Sequence, residues 1–251
     1  MAEECVICGA PLEYLQTEEP MECALCHKKE LSGTRCVKGH YVCNECHTKG
    51  VDAIIGTCLA SGSKDPIAIL ETLMEQPFCH MHGPEHHIMV GAALLTAYHN
   101  ASGGTTPSGA GGTPSGATPS GELDLRRALL DMMTRGKKVP GGTCGFWGAC
   151  GAAISTGMFV SIVTGATPLS AEPWGLANTM TARALERIGA VGGPRCCKRN
   201  SFLAIQTAVD FAREHFGVEM EARPVVCRFI PKNNQCIGKR CPYAPVNHPE
   251  G

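Results

Sequence analysis

The sequence has no surplus of either charge and few aromatic rings. Its 22 lysines and arginines face 23 aspartates and glutamates, a net charge of −1. It therefore lacks the basic footprint expected of a chain that binds nucleic acid or an anionic membrane surface. The opening MAEECVICG has neither the basic region nor the apolar run of an export signal, so a cytoplasmic location is expected. No charge falls between Gly141 and Ala171, and the twenty residues from Cys144 to Val163 reach the length of a bilayer span. Glycine, serine and threonine dilute that stretch, and no aromatic or basic belt flanks both ends. A buried core helix is expected there, and a membrane role is not.

Cysteine is what the chain has in quantity, with sixteen in 251 residues. In a reducing compartment that many thiols argue for metal rather than disulfides. The length allows one sizeable domain and a small module. Ligand pairs crowd the first 47 residues: Cys5/Cys8, Cys23/Cys26, Cys36/His40 and Cys43/Cys46. A two-residue gap lets one knuckle present both thiolates to a single ion, and eight ligands suffice for two tetrahedral zinc sites. Only two residues separate His40 from Cys43, which favours an interleaved arrangement, first pair with third and second with fourth. Ribbon pairing, first with second, is the alternative. His47 is expected to be a spare exposed histidine. The stretch from Cys36 to Cys46 resembles the centre of RING-like cross-braced fingers, with Cys5/Cys8 standing in for the missing last pair. That resemblance implies a zinc fold and does not imply ubiquitin transfer.

Residues 50–76 read as two helices broken at Ser61 to Lys64, the second opened by Asp65 as N-cap and Pro66 at the first helical position. Cys58 reads as a small buried hydrophobe. The segment FCHMHGPEHHIMVGAALLTAYHN places Cys79, His80, His82, His86 and His87 at the start of a helix that is apolar nearly all round. A helix N-terminus disfavours imidazolium, which keeps these rings neutral and able to bind metal or take a proton. Residues 101–121, rich in glycine, serine, threonine and proline, read as a flexible insertion. Helices are expected over Leu123 to Arg135, Phe146 to Thr164 and Pro173 to Ile188, and another capped by Asn200 or Ser201 runs to Phe216. Arg195, Lys198 and Arg199 flank Cys196/Cys197, where they would lower thiolate pKa values and hold anions. The tail alternates like an edge strand and carries Cys227, Cys236 and Cys241, which could bind a cluster or a zinc ion together with Cys79 or a histidine.

The expected fold is mainly α: a small N-terminal cross-braced zinc-binding module (1–48), an all-helical domain (49–217) and a short Cys-rich C-terminal segment (218–251). With CVICGAPLEY, CVKGHYVCNECH, DPIAIL, MHGPEHHIMVGAALLTAY, GTCGFWGACGAA and GGPRCCKR, the chain resembles an uncharacterised archaeal and bacterial family, some of whose members accompany SAM-dependent methyltransferase domains. DPIAIL, then Cys-Gly before a small-residue helix, then a cysteine-bearing turn about fifty residues on, also resembles the iron-sulfur L-cysteine desulfidases and the alpha chain of iron-sulfur serine dehydratases. That second resemblance implies a [4Fe-4S] cluster bound by Cys144 and by Cys196 or Cys197. The third ligand stays open among Cys150, Cys241 and a histidine from 80 to 87. In this reading His82, His86 or His87 is the base, Arg195 or Lys198 clamps the substrate, and a small amino acid or thiol undergoes lyase chemistry. The alternative is an accessory protein that docks a methyltransferase or a cofactor-assembly enzyme through its zinc module and carries a cluster or sulfur.

Overall fold

The computed structural model describes residues 5, 7–8, 10–47, 50, 52–107 and 122–248. Most of the expected glycine-serine insertion, residues 108–121, lies outside the described residues. The fold is mainly helical, with one two-stranded sheet among the described residues. The sheet belongs to the N-terminal module. Strand β1 (Leu12–Glu22) pairs antiparallel with β2 (Lys29–Cys36), from Leu12 opposite Cys36 to Glu22 opposite Lys29, with a register shift between Tyr14 and Glu19. Arg35 ties the irregular stretch together, its guanidinium donating to Glu13 at 2.6 Å and Glu19 at 3.0 Å. A short helix, α1 (Asn44–His47), closes the module.

The body is built around α4 (His86–Ser102), buried from His86 through Tyr98. Around it pack α2 (Ala53–Ala60), α3 (Pro66–Met74), α5 (Leu125–Gly136), α7 (Gly151–Thr164) and α9 (Cys197–Phe216). Helix α8 (Glu172–Val191) packs on α7 and α9, and α6 (Thr143–Phe146) is a single turn. Asp65 caps α3 as its sequence predicts: its carboxylate accepts from the Ile67 N–H at 2.9 Å, and Pro66 follows at the first turn. Cys58 is fully buried in the main core. No helix among the described residues is long and apolar enough to cross a membrane.

The structure corrects three expectations. The helix expected from Phe146 is broken: α6 ends there, Trp147 is 63% exposed, Gly148 takes a left-handed φ of +65°, and α7 begins only at Gly151. Helix α9 starts before Asn200, because the Cys196 sulfur accepts from the Arg199 N–H and acts as N-cap. The tail forms no strand among its described residues. It is strapped down instead, with Glu221 N–H donating to the Lys64 carbonyl, Arg223 paired with Asp65 and Glu71, and Arg228 paired with Glu75. Met220, Val225, Phe229 and Tyr243 of this segment are buried in the main core.

Helices α7 and α8 approach closely because residue 157 is glycine. A Cβ there would lie 2.0 Å from Thr181 Oγ1 and 3.0 Å from the Ala177 carbonyl oxygen. The backbone oxygen cannot rotate away, so Gly157→Val forces the helices apart. A loss of about 1–3 kcal/mol is expected, the cost typical of overpacking, and urea unfolding measures it.

Candidate functional site

The hairpin carries one ligand cluster at each end. At its open end Cys5, Cys8, Cys36 and His40 bring their ligand atoms within 4.8 Å of one another, with Cys8 and Cys36 sulfurs 3.9 Å apart and His40 Nδ1 3.2 Å from Cys8. At its turn Cys23, Cys26, Cys43 and Cys46 do the same, with Cys26 and Cys43 sulfurs 3.6 Å apart. Two sulfurs bound tetrahedrally to one ion at about 2.3 Å lie about 3.8 Å apart, so both clusters can hold metal ions such as zinc. The arrangement is the interleaved one, first pair with third and second with fourth. Burial works against thiolate at Cys23 and Cys36. Backbone N–H groups, from Cys43 and Leu25 at the first and from His40 and Lys38 at the second, nevertheless draw their pKa values down to about 6 and about 7.

Between hairpin and body lies a cavity of about 420 Å³. Helices α4, α7 and α9, mutually packed, turn their N-termini to it. Each brings a side chain of a type able to bind metal: His86 and His87 open α4, Cys150 stands at the N-cap of α7, and Cys197 begins α9. Cys144, from α6, and Cys5 also line the cavity, as do His82 and Arg195; among the described residues Cys144, Cys150 and Cys197 form no group of three ligand atoms within 4.8 Å. The Cys197 N–H donates to His82 Nδ1 at 3.4 Å, and the Asn200 amide donates to Cys150 Sγ at 3.5 Å. Burial pushes the Cys150 and Cys197 thiols up, so without a cation to displace the proton both stay protonated.

The histidines are held in defined tautomers. His87 Nδ1–H donates to the Val139 carbonyl at 3.1 Å, leaving Nε2 as an acceptor against α7, where a Cβ on Gly151 would lie 2.3 Å from it. His86 Nδ1–H donates to the Gly83 carbonyl at 3.0 Å, and its Nε2 lies 3.9 Å from Cys79 Sγ. Burial first, with the Lys198 ammonium next, pulls the His86 imidazole down to about 3. Arg195 stacks over Tyr14 of β1 and donates to its hydroxyl, which ties the hairpin to the body at the cavity rim. Lys198 does not line this cavity. Its ammonium donates to Cys79 Sγ and the His80 carbonyl, both at 2.8 Å, and stands over the Phe229 ring.

Cys196 and Cys197 part company. Cys196 faces a second, small cavity together with Cys227, Cys236 and Cys241, ringed by Phe202, Phe229 and Tyr243. N–H donors reach two of these sulfurs: Asn233 Nδ2 at 3.6 Å and Arg199 N at 3.4 Å donate to Cys196, and Gly238 N at 3.4 Å to Cys236. Among the described residues none of these four cysteines joins a group of three ligand atoms within 4.8 Å, so they stand wider apart than the hairpin ligands. Cys79 belongs with His86 and Lys198, away from the tail cysteines.

Residues 54–109 and 117–244 match a family of unknown function, DUF5714. The chain belongs to that family. The DUF5714 match takes in Cys144, Cys150 and Cys197 of the large cavity, all four cysteines of the small one and the histidines of residues 80–87, and it begins after the hairpin. No curated protein and no solved structure matches the chain. Sequence reasoning missed three groups in this DUF5714 protein. Glu85 is fully buried among the histidines, and Asn200 touches Cys150. His47 is half-buried beside His80 instead of exposed and spare. Glu85 was findable as the single acid between Gln76 and His99.

Proposed function

We propose that this chain is an iron-sulfur metalloprotein in which Cys144, Cys150 and Cys197 hold a [4Fe-4S] cluster on the wall of the large cavity. The cavity receives a small anionic amino acid or thiol for carbon-sulfur or carbon-oxygen bond cleavage. The observation that carries this reading is the convergence of three helix N-termini, each bearing cysteine or histidine, on one cavity. Helix N-termini favour negative charge, and both a thiolate-bound cluster and a substrate carboxylate are anionic. The resemblance to the L-cysteine desulfidases points the same way. Three protein ligands leave one iron to act as a Lewis acid.

The chain's own residues supply the rest. Arg195 at the rim orients the carboxylate. His87, through its unprotonated Nε2, or His82 takes the Cα proton as a neutral base. The electron pair released forms the Cα–Cβ double bond, and the β-substituent leaves as sulfide or hydroxide with the electrons of its bond. Fold analogy alone does not carry such an assignment, so the test is chemical. Anaerobic reconstitution with Fe²⁺ and sulfide is expected to give iron and acid-labile sulfide that disappear in Cys197→Ala and Cys150→Ala. Added L-cysteine should shift the charge-transfer spectrum. Iron retained in both variants sinks the assignment.

A second reading, a non-catalytic carrier, is favoured by the closed four-cysteine pocket of Cys196, Cys227, Cys236 and Cys241 and by the exposed Leu25, Leu31 and Val37 on the hairpin. There the hairpin docks a methyltransferase or a cofactor-assembly enzyme. Iron then follows Cys227 and Cys236, and L-cysteine leaves the spectrum unchanged.

A further inference from the structure

A buried polar cluster lies at the seam between module and body, at the edge of the large cavity. Glu85, next to the first turn of α4, has 0% exposure. Its Oε1 accepts from the His80 backbone N–H at 2.8 Å and lies 3.6 Å from His80 Nδ1, while Oε2 lies 3.8 Å from Nδ1 of His47, the last residue of α1. The two imidazole rings meet edge-on at 4.6 Å. His47 Nδ1, His80 Nδ1 and Glu85 Oε2 are all buried and have no hydrogen-bond partner.

Leaving three converging polar atoms unpaired in the interior is costly. The separations of 3.6 and 3.8 Å are too long for hydrogen bonds. They suit ligands that share an ion: two donors, each about 2.0–2.2 Å from one cation, lie about 3–4 Å apart. In the competing set, Cys79, Glu85 and His86, the Cys79 sulfur already accepts from the Lys198 ammonium at 2.8 Å. A second cation beside that ammonium is repelled.

The geometry points to a third metal site, in which His47, His80 and Glu85 bind one divalent transition-metal ion and so pin the N-terminal module to the helical body. Two imidazoles and one carboxylate suit Zn²⁺, Fe²⁺, Mn²⁺ or Co²⁺ and carry no thiolate, which sets this site apart chemically from the hairpin clusters and from both cysteine cavities. His47 also lines the large cavity, so the ion sits at its wall.

The test is a Co²⁺ titration of the full chain with the cysteine sites already loaded with Zn²⁺. The expected result is one further equivalent of bound cobalt with visible ligand-field bands and no sulfur charge-transfer absorption. That equivalent is lost in Glu85→Gln and in His47→Ala. His47 lies on the module, so its variant still decides the matter if the buried Glu85→Gln chain misfolds. No extra equivalent in the wild type, retention in His47→Ala, or a cobalt thiolate band that vanishes in Cys79→Ala overturns the proposal. Iron and sulfide assayed in samples reconstituted anaerobically without the zinc loading report separately on the cluster proposed at Cys144, Cys150 and Cys197.

Discussion

Cys43→Ser is expected to cost the chain one bound metal ion and the whole fold of its N-terminal module, while the helices of the body stay formed. The module has almost no hydrophobic core of its own. Among the described residues its buried apolar groups are Cys5, Ala10 and Cys36 at one end, Cys23, Cys43 and Cys46 at the other, and Met21, most of them candidate ligands. A unit this small is unstable without staples, and a structural zinc ion supplies about 10–16 kcal/mol of folding free energy. Cys43 is fully buried, and its backbone N–H also donates to Cys23 Sγ at 3.3 Å. Serine keeps that N–H, but without the ion the Cys23 thiolate it donates to is no longer fixed, so the knuckle at the hairpin turn opens with the metal site. Because each cluster joins ligands from distant parts of the module, β1 and β2 lose their anchor at the turn and the cavity loses a wall. The body has a separate, continuous core through α2 to α9. Metal analysis should fall by one ion per chain, helical circular dichroism should be nearly unchanged, and hydrogen exchange should quicken across residues 12–36. Unchanged protection of the hairpin contradicts the argument.

The second large effect is on the body. Phe159, at the middle of α7, is fully buried and meets Tyr98 of α4 edge-on at 5.6 Å between ring centres. Tyr98 in turn meets Phe216 at the end of α9 at 6.2 Å, so one ring joins the three central helices. Phe159→Ala leaves a cavity that these helices, fixed on their other faces, cannot close. A loss of about 3–5 kcal/mol is expected, a large share of the roughly 5–15 kcal/mol that keeps a domain folded. At about 2–4 °C per kcal/mol the melting temperature falls by on the order of 10 °C. The metal content should not change, since Phe159 is more than two turns along α7 from Gly151. A drop of less than about 1 kcal/mol on the same scale would mean that the central helices repack freely.

The parts of this structure legible in the sequence are those with a strict local rule. Two-residue gaps between cysteines are set by the reach of one knuckle, and the interleaved pairing followed from the two residues between His40 and Cys43. Asp65-Pro66 announced α3 because cap and proline act within one turn. Elements set by distant contacts were less legible. Nothing local says that Gly148 turns left-handed and breaks a long apolar helix, or that a thiol at Cys196 replaces the usual oxygen of an N-cap. The alternating tail is a strap because its partners, Lys64, Asp65, Glu71 and Glu75, lie in the helical body, which is a property of the whole fold. Glu85 reads as an ordinary acid near a helix start, and only the docking of α1 shows what its carboxylate faces.

The divergence of Cys196 and Cys197 has a mechanical result. Neighbouring Cα atoms are about 3.8 Å apart, and these two begin one rigid helix, α9, with their sulfurs in different chambers. The strap of residues 218–248 and the chamber beneath the hairpin therefore share a single fulcrum. Any shift of the start of α9 moves a wall of both chambers at once.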